Sequence, residues 1–279
     1  MALRRLIALM TGLPDDDAGL LGQGFALARG QGGRLDGLFV RRNASTGDDF
    51  LGDAFSTYGM EAVLEVLDDA AAQAGHRARE AYEAASDAAE GETVGRFIEY
   101  IGLPREALAD EGRVCDLLLA TKPEAEDARR RIDRIEISAR HAGRPVLALP
   151  ADCEPAGCFQ RIAIAWDGSL QAARAVESAL PLMHDADAVT LVHAGADARG
   201  AARLAAVSAY LEAHKVTAAS TAIALDGRSE AEAIAAQTLA LEADLLVMGG
   251  FGATGWRALG GGDTPAVLRA VNCAVLLAN

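Results

Sequence analysis

Apolar residues along the chain gather in short strand-length runs, some continuous and some broken by a polar residue, separated by longer stretches of helical spacing. In the first 150 residues the runs are Leu6–Met10, Leu35–Val40, Arg96–Ile101, Leu117–Ala120 and Val146–Leu149. In the remainder they are Ile162–Ala165, Val189–His193, Thr217–Leu225, Leu245–Met248 and a closing run that includes Cys273, Ala274 and Val275. Runs without polar alternation are the pattern of strands buried on both faces of a parallel sheet. Between them the spacing predicts helices over 14–29, 105–110, 126–141, 170–183 and 201–214. The last of these carries Leu204, Val207 and Leu211 along one side. A long alanine- and glutamate-rich helical stretch covers Ala62–Ala89, with a break expected near Gly75. Ser229 caps a helix running to about Leu241, and Glu232 completes a capping box.

The two halves repeat. RRLIALMTG from Arg4 matches QRIAIAWDG from Gln160, CDLLLAT from Cys115 matches ADLLVMG from Ala243, and RPVLALP from Arg144 matches CAVLLAN from Cys273. The first pair is offset by about 156 residues and the second by about 128, so the first half carries extra chain between its first and fourth strands, at the long helix. Alternating strands and helices imply parallel sheets with right-handed crossovers. The expected fold is α/β: two tandem five-stranded, Rossmann-like parallel-sheet domains over 1–150 and 160–279, with the insertion at about 50–92 and a linker near Ala151–Phe159. Ligands of such sheets bind beyond the carboxyl ends of the strands, where strand order switches.

Composition narrows the function. The 279-residue chain is 51% hydrophobic with only 5% aromatics, which suits alanine-rich helices packed closely on sheets and not an aromatic-lined groove. Its net charge is −14, and both halves are acidic, so general binding to nucleic acid or to an anionic membrane is not expected. No apolar run approaches the length of a membrane span. The N-terminal MALRRLIALMTGLPDDD reads as a first strand and not as a leader, which points to the cytoplasm. Cys115 and Cys273 lie beside predicted strands as ordinary buried thiols, and Cys153 and Cys158 read as reduced linker thiols, with a redox pair or metal site there as the alternative.

Chemistry concentrates in Glu242–Asn279. The buried run Leu245–Met248 leads at once into Gly249 and Gly252, then through Gly260, Gly261 and Gly262 to Asp263, Thr264 and Pro265. Glycines past a strand end let backbone N–H groups approach a ligand without a Cβ in the way. Asp263 or Thr264 can cap a helix that takes Pro265 in its first turn, and its free N–H groups would face an anion. The spacing Gly249-x2-Gly252-x9-Gly262, with its flanking strands, resembles the nucleotide-binding members of the universal stress protein family. The chain departs from that pattern at Asp263, where the family has a small hydroxyl residue, and Thr264 comes one place late.

The resemblance implies an adenine nucleotide, ATP or a relative, bound by the second half without efficient turnover, with Mg²⁺ or Mn²⁺ able to bridge Asp263 to the phosphates. It assigns Asp167, after the strand Ile162–Ala165, to the nucleotide, and the backbone of Ala194 to adenine. Met248 and Gly249 would line the pocket, and Gly252, Gly262, Asp263 and Thr264 would flank the phosphates. It implies a stress-response or signalling role, pairing of domains through their sheets (here within one chain, or in a homodimer) and unidentified protein partners. A protein-interaction adaptor that has lost the pocket, and a slow nucleotide hydrolase, are the competing readings. Each residue also has a plain structural role open to it. Asp167 can cap the next helix, His193 can be a satisfied histidine at the core's edge, and the glycines can make a tight turn.

Catalysis finds little support. The five histidines show no metal-ligand spacing, and Ser169 sits in no nucleophile elbow. The first half reads as ligand-free: Thr11 stands where Asp167 does, no glycine pair follows Thr121, and Arg129, Arg130, Arg131 and Arg134 alternate with acids as on a solvated helix face.

Overall fold

The structure, a computed structural model, describes residues 2–42, 57–89, 91–123, 128–151, 157–195, 198–251 and 264–279. The first half runs β1 (Arg5–Met10), α1 (Pro14–Gln31), β2 (Arg34–Arg41), α2 (Thr57–Ala88), β3 (Val94–Ile101), α3 (Pro104–Asp110), β4 (Leu117–Thr121), α4 (Ala128–His141) and β5 (Val146–Leu149). The second half repeats the order with β6 (Arg161–Ala165), α5 (Leu170–Met183), β7 (Ala188–Ala194), α6 (Ala198–Ala213), β8 (Ala219–Ile223), α7 (Glu230–Ala240), β9 (Leu245–Gly249), α8 (Thr264–Ala270) and β10 (Ala274–Ala278). The ten strands form one sheet in the order β3-β2-β1-β4-β5-β10-β9-β6-β7-β8. Each half therefore has the same five-stranded parallel order, and the halves meet along β5 and β10. That junction is the antiparallel pair of the sheet, with Val275 opposite Ala148, Leu276 opposite Leu147 and Leu277 opposite Val146.

The apolar runs are continuous because the central strands are covered on both faces. On β1, Leu6, Ala8 and Met10 join the core beneath α1, α2, α5 and α6, while Ile7 and Leu9 join the core on the α3, α4, α7 and α8 side. On β9, Leu245 and Val247 divide from Leu246 and Met248 in the same way. Both outer strands are partly exposed along their length; β8 is shorter than the run Thr217–Leu225 predicts, and β3 is longer than Arg96–Ile101.

Helix α2 corrects one expectation: it passes through Gly75 without a break. Gly75 faces Phe39 and Glu99, where a Cβ would stand 3.1 Å from the Glu99 carboxylate and 3.2 Å from the Phe39 ring, so the missing side chain lets the helix lie close to the sheet. At 32 residues α2 is twice the length of its counterpart α6, with 16, and it carries part of the extra chain of the first half. The capping box at Ser229 is present, with Ser229 Oγ accepting from Glu232 N at 3.2 Å and the Glu232 carboxylate accepting from Ser229 N at 2.8 Å.

One cation crosses the junction. Lys122, just past β4 and 6% exposed, donates its ammonium to the carbonyls of Val271 and, at 3.3 Å, Cys273. Burial pushes its pKa down.

Candidate functional site

The site forms where β6, β7 and β9 end together. β6 lies between β7 and β9 in register, with Ala165 opposite both Val192 and Met248. The chain leaves β6 through Trp166, Asp167 and Gly168, and Gly168 takes φ +76, a conformation that a side chain would strain. Ser169 then caps α5, its Oγ accepting from Ala172 N at 3.1 Å. Asp167 is therefore not the cap. Its Oδ1 accepts from Ser169 N at 2.8 Å, which fixes the turn, while its Oδ2 is buried without a hydrogen-bond partner among the described residues.

Two neighbouring atoms share that condition, Trp166 Nε1 and Gln171 Oε1. Buried polar atoms in native proteins are nearly always paired, and an unpaired one costs about 1–3 kcal/mol. One donor and two acceptors are thus left open within six residues of this turn, as far as the described residues go.

His193 is accounted for without a ligand. It is buried, and its Nδ1 lies 2.7 Å from the Trp166 carbonyl. A carbonyl only accepts, so Nδ1 carries the hydrogen, and the ring holds the β6 turn against the end of β7. Trp166 N also donates to Val192 O at 2.8 Å. Ala194 follows as the last residue of β7, half-buried and paired with Ile223, which puts its backbone at the same carboxyl edge of the sheet.

Met248 and Gly249 end β9 on the other side, both buried. Gly249 has a packing duty that the sequence did not announce. A Cβ there would stand 2.7 Å from Ala172 N and 2.9 Å from Gln171 Cβ, so its bare backbone admits the first turn of α5. Phe251 takes φ +52, unusual for a bulky residue, and its N–H donates to Thr264 Oγ1 at 3.3 Å. Both residues are buried, and this bond draws the two ends of the glycine loop together. Thr264 is the first residue of α8. Gly252, Gly262 and Asp263 lie outside the described residues.

Sequence reasoning missed one cation. Arg203, in the first turns of α6 and half-buried, passes over the β6 turn, where a methyl group at Gly168 would stand 3.1 Å from Arg203 Nε. The repeat could have revealed it, because the first half uses the same device: Arg77 of α2 lies over the matching turn and donates its Nε to the Gly12 carbonyl at 3.0 Å. Among the described residues no group of three or more potential metal ligands comes together. Cys158 is a half-buried free thiol, and Cys153 lies outside the described residues.

The second half is thus a parallel α/β domain with open polar atoms at the carboxyl edge of its sheet. Residues 159–279, within the second half of the chain, match the model of the universal stress protein family. No curated protein matches it. Among solved structures, a universal stress protein from Archaeoglobus fulgidus DSM 4304 is similar along nearly the whole length, with 16% identity, a TM-score of 0.67, and 98% of this chain and 96% of that one covered. A functionally unknown protein from Pseudomonas aeruginosa PAO1 follows at 16% identity and TM-score 0.57, covering 99% and 92%. The cytoplasmic domain of a prokaryotic cation chloride cotransporter gives 12% identity and TM-score 0.52, covering 99% and 95%. At these identities the likeness is one of fold, and it extends to the tandem arrangement.

Proposed function

We propose that the second half binds an adenine nucleotide, ATP or a close relative, between the ends of β6, β7 and β9, and that the chain serves as a stress-response or signalling module in the cytoplasm. The observation that carries this reading is Asp167 Oδ2, a carboxylate oxygen buried at a strand's carboxyl end with nothing to accept from among the described residues. A ribose hydroxyl or a base amino group is the donor it lacks. Trp166 Nε1 and Gln171 Oε1 supply a further donor and acceptor, and the Ala194 backbone stands at the adenine side. Arg203 brings positive charge over the turn, where the phosphates of a bound nucleotide need it. Gly252, Gly262 and Asp263 take their phosphate roles from the family pattern alone. A carboxylate about 4 Å from a phosphate charge repels it by about 1 kcal/mol in water, so Mg²⁺ or Mn²⁺ would strengthen binding by bridging the two.

Efficient turnover is not part of this reading. Ser169 is committed to its cap and His193 to the Trp166 carbonyl, so neither is free to act as a nucleophile or a base at this site. Mass spectrometry of the denatured, freshly purified protein tests the proposal. An adenine nucleotide recovered from the native chain and lost from Asp167→Ala supports it. No nucleotide from either, together with no uptake of added ATP, would favour an adaptor that binds protein partners only.

A further inference from the structure

A cavity of about 470 Å³ opens in the first half, at the carboxyl ends of β1 and β2 and between α3 and α4. Its size is that of a small-molecule site. The walls from Leu9, Leu38, Val40, Leu108 and Ile137 are apolar, and Arg42, Arg130 and Arg134 bring guanidinium groups to it. Arg42 and Arg130 are exposed at its mouth with Asp133, whereas Arg134 is half-buried. The expected solvated face of α4 is thus divided: Arg129 and Arg130 face solvent, while Arg131 and Arg134 turn inward.

Arg134 lacks a counter-charge of its own. The carboxylates near it are Asp17 and Asp16, while Arg131 and Arg42 repel it. Asp17 already accepts from Thr11 N at 2.7 Å, Thr11 Oγ1 at 3.0 Å and Gly12 N at 2.8 Å, and Asp16 is paired with Arg131 at 3.0 Å. Among the described residues no ion pair within 4.0 Å and no hydrogen bond reaches the Arg134 guanidinium. Desolvation lowers its pKa, as expected of a cation held inside without a partner. A buried, unpaired guanidinium is costly, and a bound anion removes the cost through charge-assisted hydrogen bonds.

We propose that this cavity binds a small amphipathic organic anion, whose carboxylate or phosphate pairs with Arg134 while its apolar body lies against Leu38, Val40, Leu108 and Ile137. The site is independent of the second-half site and uses no glycine loop.

Fluorescence titration of the full chain with 1-anilinonaphthalene-8-sulfonate, an apolar body bearing one anionic group, tests it. Saturable binding is expected, weakened on the order of tenfold or more by Arg134→Met. Filling the cavity with Ile137→Trp is expected to abolish it, and this variant decides the matter if Arg134→Met does not give a cooperative melt. Octanoate and 1-naphthyl phosphate compete as the carboxylate and phosphate arms, and the stronger displacer names the natural head group. The proposal is overturned if the dye binds both variants as it binds the native chain, if no saturable binding occurs, or if neutral 1-octanol displaces the dye as well as octanoate does.

Discussion

Asp17 closes the β1 turn of the first half by accepting from both the backbone and the hydroxyl of Thr11, at 2.7 and 3.0 Å, and from Gly12 N at 2.8 Å. The repeat sets Asp17 against Ala173 and Thr11 against Asp167, so the carboxylate has changed places between the halves. In the first it comes from the helix and seals the turn. In the second it belongs to the turn, and one of its oxygens has no hydrogen-bond partner among the described residues.

The sealed turn makes Asp17 structural. It is fully buried, and burial pushes its carboxyl pKa up against the pull of its hydrogen bonds from Thr11 and Gly12. Asp17→Ala strands these donors, and the expected loss is about 2–4 kcal/mol in urea unfolding at neutral pH. Its counterpart Ala173→Ser, in a turn that makes no such bonds, should change stability by less than about 1 kcal/mol.

Lys122 is the polar tie between the halves. Lys122→Met keeps the length of the side chain and removes the donor to Val271 and Cys273. The buried carbonyl of Val271 and the half-buried one of Cys273 lose a partner, and the expected cost is about 1–3 kcal/mol. The change should appear as one cooperative transition moved to lower denaturant, because the ten-stranded sheet joins both halves across the same junction.

Arg203→Met should separate charge from shape. The neutral side chain still covers Gly168, while the positive charge over the turn is gone. Affinity for ATP should fall on the order of tenfold, and affinity for adenosine should hardly change. Equal losses for both ligands in parallel titrations would show that Arg203 only supports the fold.

Cys115 and Cys273 should be slow thiols. Burial pushes Cys115 up to about 12 and Cys273 up to about 11, from an ordinary value of 9.0. At pH 8 the thiolate of Cys273 is then about 100-fold rarer than in an open chain, and that of Cys115 rarer still. A disulfide reagent should label both sites only after unfolding. A folded pKa above the unfolded one stabilises the native state below pH 9, and that stability is lost as pH rises from 9 toward 11–12. Alkaline unfolding should therefore steepen across this window, and Cys115→Ala should soften it.

The strand runs and the repeat were legible because they are local or periodic. Leu245–Met248 reads as a doubly covered strand from its composition alone, and Ser229 with Glu232 announces its cap within four residues. What escaped depends on contacts between segments far apart in the chain. The packing of Gly249 on α5 and the passage of Arg203 over Gly168 arise only when the strand ends converge. Arg134 reads as one charge in an alternating run, and only the placement of α4 beside α3 turns it into a cavity. The break expected at Gly75 failed because glycine there serves close contact with Phe39 and Glu99, and packing along the rest of a long helix outweighs its low helix propensity.

The most direct measurement is isothermal titration calorimetry of the full chain with ATP, with and without Mg²⁺ or Mn²⁺, for the native protein and for Asp167→Ala. The account predicts saturable binding at one site, strengthened by the metal, and on the order of 100-fold weaker or absent in the variant. Binding of equal strength in both proteins, or none in the native chain at nearly millimolar ATP, would contradict it.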